Sequence, residues 1–252
     1  MNDYPSNVKE KLNFIISDMA NHHWLFANRP GHDFIRQNHG KLSFYDTMRL
    51  IIGMGKGNTN DEIMDYFDLD PDRIPSQSAF NQRRSQISLS AFEYLFSEFS
   101  SAFPATTNTF KNHCILACDG CHVVYTTNSE IIEDFNKPHL IDYKGYNHMH
   151  LNGFVDVVSK AFIDVVIQPG QKPDERQALH IMLDLFQPDE PSKYIITADR
   201  GYESYDLLFH CELKHLSYVF RVKAPSSPKS ILSYYKNELP DERDEFDITI
   251  KR

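Results

Sequence analysis

The period of the apolar residues changes once along this chain, near Thr106, and that change limits the fold more than any other feature. Before it, apolar residues recur at helical spacing with short polar breaks between runs. After it come compact β-branched runs, first in succession and then alternating with helical stripes. A helical half followed by such an order predicts an α/β protein preceded by an all-α segment.

The helical half has identifiable starts and stops. Ser43 to Met54 carries Phe44, Met48, Leu50, Ile51 and Ile52 and predicts an amphipathic helix, broken by Gly53, Gly55 and Gly57. Thr59 to Glu62 has the form of a capping box, followed by Ile63, Met64, Tyr66 and Phe67. Pro71 and Pro75 bracket a turn, and Ser76 is placed to cap a third helix bearing Gln82, Arg83 and Arg84. A helix, a capped helix, a turn and a Gln/Arg-bearing helix is the order of a helix-turn-helix unit, with the last helix as the candidate DNA contact. A small helical bundle with a solvated face satisfies the same pattern.

In the second half, His113 to Asp119 is an apolar run ending in a carboxylate. His150 to Val158 and Ala161 to Ile167 predict an antiparallel hairpin around Ser159-Lys160. Pro173 opens a helix with Ala178, Leu179, Met182, Leu183 and Phe186 on one stripe. Tyr194 to Ala198 is a buried strand followed directly by Asp199; a helix with Leu207, Leu208, Cys211 and Leu213 comes next, then a strand over Ser217 to Lys223. The expected order is three strands, helix, strand, helix, strand in a mixed sheet.

Asp119 and Asp199 carry the chemistry. Each is expected at the end of an apolar strand, beside a turning segment (Asp119-Gly120 and Asp199-Arg200-Gly201). If the first and fourth core strands are parallel neighbours, the two carboxylates converge. Such oxygen donors suit Mg²⁺ or Mn²⁺, ions that bind phosphate oxygens and can assist both the attacking and the leaving oxygen of a phosphodiester. Any one strand-end Asp more often caps a helix or starts a turn; two on the correct strands favour the metal reading.

Composition sets outer limits. The 252 residues suffice for one large or two small domains. No run of about 18 apolar residues occurs, and Met1 to Glu10 lacks the layout of a secretory signal, so an intracellular protein is expected. Four cysteines do not make a disulfide framework at this length. The net charge of −9 argues against nucleic acid as a partner, although a local basic face can bind DNA while acidic segments lie elsewhere.

Cys118-Asp119-Gly120, Lys144-Gly145-Tyr146-Asn147 with His150-Leu151-Asn152, Ala198-Asp199-Arg200-Gly201-Tyr202 and the strand Tyr218 to Lys223 resemble, in this order, bacterial insertion-sequence transposases of the insertion sequence four family. The similarity runs from about Phe44 to the last residue. It implies an RNase H-like core, with residues 1–106 as a helical DNA-binding domain, 107–225 as the catalytic core and 226–252 as the start of a β-rich insertion. It implies Mg²⁺ or Mn²⁺ held by Asp119 and Asp199, double-stranded DNA (terminal inverted repeats and target) as partner, a homodimer on DNA, and a cytoplasmic, nucleoid-associated protein. Arg200, Arg221 and Lys223 are candidate phosphate contacts beside Gln82, Arg83 and Arg84.

The family's third acid belongs to a Tyr-x2-Arg-x3-Glu-x6-Lys signature. Tyr218 and Arg221 fit its opening, but Pro225 stands where the Glu is required. The Glu is therefore expected beyond a C-terminal truncation, which would leave the chain with little strand-transfer activity. Glu238, on a helix over Ser230 to Glu238, is the alternative. Two rivals remain open: a non-catalytic fragment that binds the element's ends, and an RNase H-like nuclease unrelated to transposition.

Other features have plain readings. Cys114, Cys118, Cys121, His113 and His122 have partial zinc spacing, but core packing is favoured for the cysteines. His148 and His150 are placed near the phosphates or in a structural role. Glu175 is expected at the start of the first core helix, where a carboxylate suits the dipole, and the resemblance allows it a site role. Trp24, in a His-His-Trp-Leu-Phe run, is read as core.

Overall fold

A computed structural model describes residues 4–34, 41–103, 109–137 and 145–237, in two compact units, Met1–Phe103 and Pro104–Arg252.

The described residues of the first unit form five α-helices: α1 (Tyr4–Asn21), α2 (Phe44–Gly53), α3 (Thr59–Tyr66), α4 (Gln77–Arg84) and α5 (Leu89–Ala102). Helix α2 is buried on two sides, which is why its apolar stripe is broad. Phe44 and Met48 join Ile16 and Met19 of α1 and Ala91 and Leu95 of α5. Leu50 joins Ile63, Phe67 and Phe80 around α3 and α4. Ser43 caps α2 in a reciprocal box with Asp46, and Ser76 caps α4 by accepting from Ala79 N at 3.2 Å. The expected Thr59 box is not the start of α3. Asn58 caps it, because its side-chain oxygen reaches both Asn60 N and Asp61 N. Glu62 instead accepts from Gly55 N and Gly57 N, each at 2.9 Å, and ties down the preceding glycine loop. Trp24 is not core: it is 49 % exposed on a 3-10 turn, and Phe26, 8 % exposed, is the residue turned inward.

The second unit holds a six-stranded mixed sheet: β1 (Cys114–Tyr125), β2 (Phe135–Asn136), β3 (Tyr146–Asp156), β4 (Phe162–Pro169), β5 (Tyr194–Ala198) and β6 (Ser217–Phe220). Strand β1 is central, antiparallel to β3 and parallel to β5, while β4 and the short β2 pair with the outer edge of β3 and β6 runs parallel to β5. Helices α6 (Glu175–Leu185) and α7 (Tyr205–Leu213) follow β4 and β5. Three antiparallel strands with parallel additions joined by helices is the RNase H-like arrangement, with the two-residue β2 as an unforeseen addition. The buried stripe Ala178, Leu179, Met182 and Leu183 of α6 packs with Leu207 and Cys211 of α7 on Leu116, Cys118, Phe154 and Ile196. Burying four such α6 side chains supplies several kcal/mol, at about 1.5–3 kcal/mol for each large apolar group.

Among the described residues, no helix is long and apolar enough to cross a membrane. The described part of the Glu238 helix, Ser230 to Asn237, contains only a 3-10 turn at Ser233–Tyr235, and Glu238 lies outside the described residues. So do Lys144 and the alternating segment Glu245 to Ile250.

Candidate active site

Asp119 and Asp199 are brought together by the parallel pairing of β1 with β5. The last residues in register are Cys118 and Ala198, so each aspartate is the next residue on adjacent strands, whose spacing is about 4.8 Å. Asp199 ends its strand as expected. Asp119 does not: β1 continues to Tyr125, because β3 is long enough to pair with it as far as Asn147. Beyond Ala198 the β5 chain turns away while β1 runs on to Tyr125, so β1 has no β5 partner from Asp119 onward, and this step in the sheet is the notch. Both aspartates are exposed. Asp119 Oδ1 accepts from Gly120 N at 2.9 Å, and Asp199 Oδ1 accepts from Gly201 N at 2.6 Å.

Glu175 opens α6 behind the N-cap Asp174 and reaches the same notch. A Cβ on Gly120 would stand 2.8 Å from Glu175 Oε1, and one on Gly201 would stand 3.3 Å from Glu175 Oε2 and 2.9 Å from Asp199 Oδ1. The absence of side chains at Gly120 and Gly201 therefore lets Glu175 and Asp199 pack directly against the backbone there. Beneath it, burial pushes the Cys118 thiol up to about 12; a Tyr202 hydrogen bond opposes this, and the nearby Asp119 and Glu175 charges add to it. The Tyr202 phenol is fully buried and raised by burial first, then by Cys118, Glu175 and Asp119. Both groups stay protonated, so the floor of the notch is neutral and the negative charge is confined to its carboxylates.

Three histidines line the neighbouring sheet surface. His150 pairs with His122 across β3 and β1, with ring centroids 4.7 Å apart, and His148 lies 4.8 Å from His122. His148 shares Nε2 with Gly170 O at 3.1 Å. The His122 imidazole is lowered by burial, then by His150 and His148, with Glu175 opposing. A zinc knuckle has no support here. Cys114 and Cys118 are core, none of the four cysteines is in a disulfide, and Cys121, an odd number of residues from Cys118 along the strand, is exposed on the other face.

The candidate phosphate contacts sit differently from one another. Arg200 and Arg221 are exposed, Arg221 donating its backbone N–H to Ala198 O. The Lys223 ammonium bonds Glu203 Oε1 at 2.6 Å and Arg200 O at 2.7 Å. Burial would raise the Glu203 carboxyl, but Lys223 bonds it through ammonium and backbone N–H and holds it below its ordinary value. This buried pair, which nothing in the spacing announced, clamps the loop after Asp199 to the segment after β6. On α4, Gln82 and Arg84 are exposed, whereas Arg83 bonds Gln86 Oε1 at 3.0 Å and lies over the Phe34 ring.

Divalent ions suit the donor chemistry, because carboxylates offer the hard oxygens that such ions prefer. Among the described residues no three His, Cys, Asp or Glu side chains are already gathered closely enough to hold an ion. The exposed carboxylates would have to turn toward one, by ordinary rotamer changes. No curated protein matches the chain significantly. A family model described as transposase DDE domain matches residues 111–250, more than half of the chain and nearly all of the sheet unit with its notch. The chain belongs to the transposase DDE domain family.

Proposed function

We propose that this protein is a DNA transposase of the insertion sequence four kind, cutting and joining DNA at transposon ends with Asp119 and Asp199 as ligands of Mg²⁺ or Mn²⁺. The observation that carries this reading is the parallel β1–β5 register, which sets the two aspartates side by side at the notch. A divalent ion held there would polarise a phosphodiester and activate the attacking oxygen. The chain's own residues supply the rest. Asp119 and Asp199 present oxygen donors, while Gly120 and Gly201 let the Glu175, His150 and Asp199 side chains close in on the backbone. Arg200 and Arg221, exposed beside the notch, offset phosphate charge. The Glu203–Lys223 pair holds the Asp199 loop in place. Gln82 and Arg84 of α4 contact duplex DNA, and two copies engage two DNA ends.

A second reading is favoured by one observation: no Tyr-x2-Arg-x3-Glu-x6-Lys signature occurs in the sequence, and Pro225 occupies the Glu position. On this reading the 252 residues bind the element's ends and cut them poorly.

A cleavage assay on inverted-repeat DNA with Mg²⁺ or Mn²⁺ separates the two. We expect metal-dependent nicking that Asp119→Asn and Asp199→Asn each reduce by about a thousandfold, in line with losing a group that stabilises the transition state. Binding without cutting in the parent protein supports the second reading. Cutting that survives both substitutions excludes the first.

A further inference from the structure

We infer that Glu175 is a third carboxylate of the divalent-ion site, and that His150 lies behind it as the nitrogen that orients it. This deepens the assignment of Asp119 and Asp199 as ligands and rests on it. The resemblance allowed Glu175 a site role; the geometry gives that role a place.

Two observations converge. The first is the placement of the two Glu175 oxygens. Oε1 sits over Gly120, the neighbour of Asp119, and Oε2 sits over Gly201, against which Asp199 Oδ1 also rests. A single side chain thus lies against the glycine that follows Asp119 and the glycine that Asp199 Oδ1 also approaches. The Glu175 side chain is 36 % exposed, open enough for an ion to enter from solvent yet anchored by the first turn of α6.

The second observation is His150. It is 3 % exposed, and neither of its ring nitrogens makes a hydrogen bond. Nε2 is aimed at the cluster: it comes within 3.2 Å of Glu175 Oε1 without hydrogen-bond geometry, and would lie 2.4 Å from a Cβ on Gly120. A buried polar atom left without a partner costs about 1–3 kcal/mol. An ion with its waters at the carboxylates would bring a polar partner to that nitrogen. His150 would then act as the outer group that fixes a ligand's orientation, as metal sites commonly require.

The test is Mn²⁺ binding to the full chain, followed by the loss of the free-ion electron paramagnetic resonance signal and, independently, by the Mn²⁺-induced rise in melting temperature. Glu175→Gln keeps the shape and removes the charge; Asp184→Asn, on the far end of α6, is the control. We expect Glu175→Gln to weaken Mn²⁺ binding tenfold or more, as Asp119→Asn and Asp199→Asn do, and the control to bind like the parent. His150→Ala should weaken it less, and His150→Gln, which restores a polar atom, should recover part of the loss. If Glu175→Gln binds Mn²⁺ like the parent while both aspartate variants lose it, the inference is overturned and the two-aspartate site stands. If none of the three substitutions alters binding, the aspartate assignment falls and the inference with it. Melting without added metal shows whether any variant has simply failed to fold.

Discussion

Gly120 illustrates how a residue with no side chain can decide the chemistry around it. Its backbone lies in an ordinary strand, so its value is space, not conformational freedom. An alanine Cβ would meet His150 Nε2 at 2.4 Å and Glu175 Oε1 at 2.8 Å, closer than real Cβ contacts. Forcing an extra methyl into packed surroundings costs about 1–3 kcal/mol. Gly120→Ala should therefore lower the urea midpoint by a corresponding amount, and an unchanged midpoint would mean that both side chains swing aside freely. Sequence reading found Asp119-Gly120 as a motif but read the glycine as a turn. It is instead the centre of a β1–β3 ladder, with Asn152 opposite. Glu175 was legible as a helix-start carboxylate with a site role left open, because nothing local says that the start of α6 arrives at β1. His150 was legible as a residue near the phosphates or in a structural role, and its burial was not.

At the scale of elements, α6 and α7 are held together by apolar packing and by a chain of four polar groups. His180 Nδ1 and His210 Nδ1 are 2.9 Å apart, His180 Nε2 is 3.0 Å from Asp206, and His210 Nε2 is 3.1 Å from Asp184. The His210 imidazole is lowered, by burial first, with Asp184 opposing and His180 and Lys214 adding to the shift. A histidine lowered in the folded state takes up its proton more readily when unfolded. Its contribution is therefore complete above the ordinary value of 6.5 and is lost as pH falls below it. Urea unfolding at a series of pH values should show stability declining from neutral toward pH 5. His210→Gln should flatten that decline, and a slope unaffected by the substitution would assign it elsewhere. The elements themselves were largely readable: β5 occupies the expected residues, and α6 buries the expected Ala178, Leu179, Met182 and Leu183, with Phe186 partly buried at its C-cap. The Thr59 box and the end of β1 were misread because caps and strand ends are settled by partners. Asn58 reached two amides first, and β3 carried β1 past Asp119.

For the whole molecule, a chain of net charge −9 that binds DNA must do so through local basic groups. On α4 these differ in their availability. Arg83 is engaged by Gln86 and Phe34, while Arg84 is exposed over the Phe80 ring. Replacing Arg84 with alanine should weaken duplex binding whatever the sequence, and should reduce the slope of log affinity against log salt by about 0.9, the value for one phosphate contact. Arg83→Ala should instead lower the melting temperature of the helical unit. Fluorescence anisotropy at several salt concentrations checks the first and thermal melting the second; an unchanged salt slope for Arg84→Ala would remove α4 from the DNA interface.

What the sequence determined by itself is periodic and local: a helical half, then strands and helices in an RNase H-like order, with an aspartate directly after each of two apolar runs. Those properties come from backbone sterics and apolar spacing, which act over a few residues. What only the tertiary structure decided is convergence: Asp199 beside Asp119, Glu175 over two glycines, His150 buried behind it, and Lys223 spent on Glu203. Each of these joins residues far apart in the chain, and each depends on how helices and strands pack and not on the residues that border them in sequence.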